Sequence, residues 1–341
     1  MPIWSLTPQV LPLRYVWKIS RNASTTKTNL LLRVAGLGHT GLGEAAPNVR
    51  YGETPEVLQE QFATLLANGL NEVHCLPDLD TLLAAQPVAH ALSFGLEAAL
   101  VHWLAQCAGV PVWQWLHVPA PAAAVPTAFS LPIMEPGEVA AFVREQRAAR
   151  FDVLKVKVSA AAGLDLLRAV GQALPGQALL VDGNETWADA DSVLRFLEQA
   201  TALPGLHLRL LEQPLPAALA WDYRYLRTRS HVPLVADESV TDTADFAEIA
   251  AQFHGVNVKL MKAGGFRRGI ELLRQTRAHG LLPMLGCMVE TTVGIAAALE
   301  ISRLADVHDL DGFLIVRDEP FGLVHEADGM LRRVVPDAAP A

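Results

Sequence analysis

The chain has 341 residues, 51% hydrophobic and 18% charged, which is enough for a large buried core and for a barrel of about 250 residues with a smaller domain beside it. A net charge of −9, from 27 basic and 36 acidic residues, argues against nucleic acid or an anionic membrane as partner. Three cysteines without CxxC spacing (Cys75, Cys107, Cys287) and an N-terminus, MPIWSLTPQVLPLRY, without a basic-then-apolar leader suit a cytoplasmic protein better than a disulfide-built secreted one.

In chain order, residues 10 to 50 alternate apolar and polar positions with turn residues between the runs. Thr28–Val34 reads as a strand, and GLGHTGLGEAAP as a hairpin turn and a second strand rather than a phosphate loop. Thr54-Pro55 opens a helical stretch that runs to about Leu116, with Thr54 as N-cap and Pro55 at the first helical position. Within it, Ser93 to Gln106 is a strongly apolar helix ended by Gly109 and Pro111. These elements form an α+β unit over residues 1–120, on which the tail 320–341 is expected to pack.

The segment HVPAPAAAVP, residues 117–126, reads as a linker or stiff crossover. Strand-like and helix-like runs then alternate. Strands are expected at Thr127–Leu131, Val153–Val158, Ala178–Val181, Leu208–Leu211, Leu234–Ala236, Val256–Leu260, Leu282–Leu285 and Gly312–Val316. Eight strands separated by helices favour a closed parallel α/β barrel over residues 121–319. The apolar stretch Leu281 to Leu299 is interrupted by Glu290 and turn-formers, so it reads as buried strand and helix rather than a membrane span.

Three acids end three successive strands: Asp182 in LLVDGNETW, Glu212 in LRLLEQPLP and Asp237 in PLVADES. Any one alone would more often cap the helix that follows. Three carboxylates converging at the C-terminal rim of a barrel would repel, and a bound cation removes that cost. Hard oxygen ligands call for Mg²⁺ or a similar ion. In VLKVKV, Lys155 and Lys157 share one strand face. An edge strand would turn them to solvent, but beside three inward carboxylates they are expected inside the barrel.

Asn257 and Lys259 share a face of VNVKL, whereas Lys262 falls in the turn with Gly264-Gly265 and is expected to be solvated or behind the site. Cys287 and Met288, in MLGCMVE, lie where a strand end runs into a loop; packing alone explains them as well as contact with a ligand. Asp309 and Asp311 in DLD are expected on one face near the last strand, as helix-capping loop residues or as a clamp for an ammonium group. The eleven histidines form no metal-ligating motif.

Taken as a set, KxK, DxN, EQP, DES and the lysine of NVKLMKAGG resemble the enolase superfamily in its muconate-lactonizing-type subgroup. GLGEAAP and SFGLEAALVHWLAQCAGVPVWQWL resemble that family's capping domain, so nearly the whole chain is covered. GCMVET and DLD resemble the dipeptide epimerases within it. The resemblance implies a modified (β/α)7β TIM-type barrel with an N-terminal α+β capping domain. It implies one Mg²⁺ per subunit on Asp182, Glu212 and Asp237, with Mn²⁺ as a substitute. It implies inversion of the α-carbon next to a dipeptide's C-terminal carboxylate through an enediolate. Lys157 and Lys259 would work on opposite faces, with the pKa of the base depressed, and Lys155 would steady the developing charge.

Asp309 and Asp311 would hold the substrate's α-ammonium, Cys287 and Met288 would touch the substrate, and Arg21 would meet an acidic side chain of an Ala-Glu-like or Ala-Xaa dipeptide. A small dipeptide is then the partner, and a homo-oligomer is compatible with the sequence. The rival readings are an o-succinylbenzoate synthase, an N-succinylamino-acid racemase or a muconate cycloisomerase of the same fold, and a non-catalytic carboxylate-binding protein. None of the rival enzymes needs the acidic pair, and a binder does not need two opposed bases.

Overall fold

Period-two alternation begins at residue 3, earlier than expected, and produces a long antiparallel ribbon. In the computed structural model, which describes residues 1–20 and 22–334, β1 (Ile3–Lys18) pairs with β2 (Ala23–Gly36), and β2 pairs with β3 (His39–Ala45). On β1, Trp4, Leu11, Leu13 and Trp17 face inward while Ile3, Val10 and Val16 face out. Leu37 and Gly38 both take left-handed backbone (φ 53 and 78), the geometry of a tight two-residue hairpin, as GLGH promised.

Helix α1 (Pro55–Ala67) starts where expected, the Thr54 hydroxyl accepting from Val57 N. After α2 (Leu76–Ala85) comes α3 (His90–Ala108), apolar on nearly every side and closed by Gly109 in left-handed conformation. It lies directly on β3 because Gly41 and Gly43 have no side chains: a Cβ there would stand 1.9 Å from Ala99 O and 2.0 Å from Gly95 O.

The crossover keeps only a short strand, β4 (Val125–Pro126). Eight parallel strands follow in chain order: β5 (Phe129–Leu131), β6 (Val153–Lys157), β7 (Gln177–Asp182), β8 (Leu206–Glu212), β9 (Leu234–Ala236), β10 (Gly255–Lys259), β11 (Leu282–Gly286) and β12 (Val307–Asp309). Ala128 N donates to His308 O at 2.9 Å across the seam, leaving the barrel nearly closed. Helices return the chain between strands, which gives the (β/α)7β order.

The last strand differs from expectation. Gly312–Val316 is not a strand; Gly312–Ile315 forms a 3₁₀ turn, and the eighth strand is the earlier Val307–Asp309. Three strand residues flanked by Gly312 give too short an alternation to read. β13 (Val324–Ala327) and β14 (Met330–Arg333) form a hairpin whose second strand pairs with β4, and Arg150 binds Glu326 at 2.7 Å. Residues 335–341 of the tail lie outside the described residues. No helix among the described residues is long and apolar enough to cross a membrane.

Inside the barrel the inward positions form layers. Ala128, Leu180, Leu210, Val235 and Met284 pack together in the lower one. Two residues further along the same strands or their extensions come Ser130, Asp182, Glu212, Asp237 and Gly286.

Candidate active site

Strand register places the charged residues at one height. Lys157 stands opposite Asp182, Asp182 opposite Glu212, and Glu212 opposite Val235, so Asp237 follows two residues on. On the other half of the sheet Lys259 stands opposite Gly286, and Gly286 opposite Asp309. Lys155, Lys157, Asp182, Glu212, Asp237 and Lys259 are each at most 8% exposed. The inward placement expected of the KxK lysines and of the three acids is what the barrel builds.

Lys155 Nζ lies 2.8 Å from Glu212 Oε2, 3.2 Å from Asp182 Oδ2 and 2.8 Å from Asp309 Oδ2. Lys157 Nζ donates to Asp182 Oδ2 at 2.7 Å, with Asn184 Oδ1 at 3.4 Å. Lys259 Nζ donates to Asp237 Oδ2 at 2.8 Å. Asn257 Nδ2 donates to Glu212 Oε1 at 3.0 Å. Among the described residues no three His, Cys, Asp or Glu side chains are grouped as a metal cluster as they stand, and the Lys155 ammonium lies between Asp182 and Glu212.

Burial alone would drive the carboxyls up and the ammoniums down. Against it, Lys157 and Lys155 hold Asp182 well below the usual carboxylate range, and Lys259, Lys262 and Lys155 do the same for Asp237. Glu212 is pushed up to about 7, burial outweighing Lys155. Burial also pulls on Lys155 and Lys259, but the carboxylates around them, Asp309 and Glu212 for the first and Asp237 for the second, raise both above the ordinary lysine value. Besides burial, the neighbouring Lys155 pulls Lys259 down, but the adjacent Asp237 carboxylate outweighs it.

Asp309 ends β12, whereas Asp311 lies beyond it, just before the 3₁₀ turn. Strand alternation is thus not what joins them. Ser130 is: its N–H donates to Asp311 Oδ2 at 2.6 Å, and its hydroxyl reaches Asp311 Oδ1 at 3.2 Å and Asp309 Oδ1 at 3.4 Å. Burial, then Asp309, push Asp311 up to about 7.

The cavity over this layer is floored by Lys155, Lys157, Asp237, Lys259, Asp309 and Asp311, with Cys287 and Met288 at its side. Trp17, Ile19, Lys27, Asn48 and Tyr51 of the N-terminal domain cover it. The Trp17 ring lies 5.8 Å from Lys157 Nζ, within cation–π range. Ser20 Oγ donates to Asn184 O at 3.0 Å and Arg50 pairs with Glu185 at 3.1 Å, tying the cover to the barrel loops. Arg21 lies outside the described residues.

Lys262 lies behind the site rather than in solvent, one of the two places expected of it. It is buried, donating to Asp237 Oδ1 at 2.5 Å and to Val240 O at 3.0 Å. Burial, against Asp237, lowers its pKa. Sequence reasoning gave no part to Ser130, whose strand is too short to fix its register. Gln213 appeared only as a motif letter. In the structure its Oε1 accepts from Asp237 N (2.9 Å) and Ser239 N (3.1 Å), so the EQP and DES motifs are halves of one clamp.

Residues 138–326, more than half of the chain, match the family model described as enolase C-terminal domain-like. The chain belongs to the enolase superfamily. It is 32% identical over 338 residues to the L-Ala-D/L-amino acid epimerase of Pedosphaera parvula, covering 95% of this chain and 94% of that one. A solved enolase family member from Agrobacterium tumefaciens with homology to dipeptide epimerases, bound to sodium and L-Ala-L-Glu, superposes with a TM-score of 0.87 at 26% identity over 98% of each chain. The dipeptide epimerase of Methylococcus capsulatus, complexed with Mg and L-Arg-D-Lys, gives a TM-score of 0.84 at 28% identity over 97% of this chain and 96% of that one.

Proposed function

We propose that the protein is a cytoplasmic, Mg²⁺-assisted dipeptide epimerase that inverts the α-carbon next to a dipeptide's C-terminal carboxylate. The observation that carries this reading is the pair Lys157 and Lys259. They stand on β6 and β10, halfway round an eight-stranded barrel from each other, and each binds a different acid of the same trio. Two bases facing each other across one substrate carbon are what inversion requires. The epimerase names of the relatives support the reading.

Asp182, Glu212 and Asp237 would hold the cation, one per subunit, with Mn²⁺ accepted in place of Mg²⁺. They fit: all three are hard oxygen donors on neighbouring strands, and Glu212 Oε2 is buried with Lys155 at 2.8 Å but not aligned for a hydrogen bond. When bound, the ion supplies positive charge opposite the substrate carboxylate as the α-proton leaves. Lys155 adds its own ammonium to that side. Lys157 or Lys259 takes the proton on one face, and the other delivers one on the opposite face. Lys259 rests on Asp237, and a carboxylate whose charge was also drawn to a cation would hold that ammonium less tightly.

Asp311, tied to Ser130 and with Asp309 behind it on Lys155, would receive the dipeptide's α-ammonium. An N-acyl group would bring no charge to that acid. Cys287 and Met288 would contact the substrate beside it. The proposed division of labour is a cap over residues 1–120 and a catalytic barrel over 121–319. A dipeptide panel incubated in D₂O tests the reading. Free dipeptides should take up deuterium at the α-carbon and invert, and N-acetylated ones should react far more slowly. Equal use of both forms would return the choice to the racemase or synthase reading.

A further inference from the structure

We propose that Glu44 is the positioning residue through which the N-terminal domain sets the pocket wall formed by Cys287, Met288 and Val289. The proposal rests on the epimerase reading for its substrate. Glu44 lies on β3 and is buried. Its Oε1 accepts from Asn29 Nδ2 at 2.7 Å, and its oxygens share Thr291 N at 2.9 and 3.0 Å. Its Oε2 also accepts from Thr291 Oγ1 at 2.7 Å and Gly294 N at 3.0 Å. Asn29 Nδ2 donates in addition to Val289 O at 2.9 Å. Every one of these partners is a donor, so one carboxylate pins the start of the helix Thr292–Glu300 and, just before it, the loop that walls the substrate cavity.

A second acid stands on the same strap. Glu290 Oε1 accepts from Met288 N at 2.7 Å. A Cβ at Gly294 would lie 2.3 Å from Glu290 Oε2 and 3.1 Å from Glu44 Oε2, so both carboxylates face one spot that only glycine leaves open. The charged or titratable groups acting on Glu290 are Glu44 from β3 and Lys259 from β10, and Cys287 feels Glu290 from the loop itself. Burial, then Glu44, push Glu290 up to about 8. Below that pH Glu290 is neutral and the charge of the strap is that of Glu44, whose carboxyl burial raises and the hydrogen bonds from Asn29, Thr291 and Gly294 pull back down. Above it two anions share the turn and repel, which strains the hold of Glu44 on Thr291 and Gly294 even as the ionised Glu290 binds Met288 N more tightly.

The test is steady-state epimerisation of a free dipeptide from pH 7 to 9. Glu44→Gln turns an amide N–H toward donors and should raise KM at pH 7 about tenfold or more, with kcat changed less. Thr291→Val should raise KM by less, and Thr291→Ser should restore it. Wild-type KM should climb across pH 8, and Glu290→Gln should flatten that climb. A variant Glu44→Gln that lowers kcat alone, or changes neither constant, overturns the proposal. If that variant does not fold, an unchanged KM in Thr291→Val, or an intact pH climb in Glu290→Gln, overturns it instead. A wild type that epimerises no dipeptide defeats the epimerase reading. Backbone hydrogen exchange at Thr291 and Gly294 then decides: a loss of protection above pH 8 that Glu290→Gln abolishes supports the strap, and no such loss sinks it.

Discussion

Leu180 and Asp182 are two residues apart on one strand, as are Leu210 and Glu212 on the next; Val235 and Asp237 repeat the spacing at the end of the third. The first of each pair joins the apolar floor of the barrel, and the second its charged mouth. The same backbone, at the same spacing, thus carries opposite chemistry at its two ends. Burying the mouth charges costs several kcal/mol per ion before their mutual attraction is counted. The floor and the apolar helices must supply the free energy that keeps the mouth in place. Changes at the two levels should therefore separate cleanly into lost activity and lost stability.

The largest effect should come from the trio. Asp182→Asn or Glu212→Gln should lower turnover by at least about 10³-fold, beyond the loss of one preorganised donor. Mg²⁺ binding measured by calorimetry should weaken while Tm holds. Near-normal turnover with unchanged Mg²⁺ dependence would remove the metal assignment. Next, Lys157→Ala and Lys259→Ala should each slow epimerisation by about 10²–10⁴-fold. Each should still exchange the α-proton of one stereoisomer, seen by mass spectrometry in D₂O, because the other lysine still reaches its own face. Full epimerisation by either variant would show that two opposed bases are not used.

Asp311→Asn should cost about 10- to 150-fold in kcat/KM for free dipeptides, the loss of a charge-assisted hydrogen bond, and little for N-acetylated ones. With Asp311 pushed up to about 7, the wild-type kcat/KM should fall as pH drops through that value, since a protonated acid no longer attracts an ammonium. That fall should be absent from Asp311→Asn, and its persistence there would point to another group. The smallest kinetic effect should come from the floor. Leu210→Ala should cost about 2–5 kcal/mol in urea unfolding and leave kcat/KM of the folded protein unchanged. A large kinetic change there would mean that the two layers are not independent.

Much of the mouth was legible because each acid ends an apolar run, and because KxK alternation forces two lysines to one side. The pairing of β7 with β8, by contrast, shifts register between Leu179 and Leu180, which that patterning does not show. Less legible was whatever depends on residues far apart in sequence meeting in space. Ser130 joins Asp309 to Asp311 across the barrel seam, and no local pattern announces a contact over that distance. Lys262 follows a strand and precedes two glycines, which leaves solvent and a place behind the site both open, and a single short helical turn decides between them by tucking it under Asp237. The protonation of Lys259 depends on which anion lies nearest, and a sequence lists charges without their separations.

The ribbon β1 has a consequence for how the molecule comes into being. Leu13 bridges to Val316, and Arg317 N donates to Pro12 O at 2.8 Å. Leu11, Leu13 and Trp17 pack with Val289, Ile315 and Val316 in a cluster of their own. β1 leaves the ribosome long before these partners and meets them only after roughly 270 to 300 further residues have been made. Contacts between such distant positions carry a heavy loop-closure cost and form late. Until then Trp17, the ring destined for Lys157, stands on an open apolar face, and a nascent chain stalled before residue 289 is at risk of sticking to its neighbours.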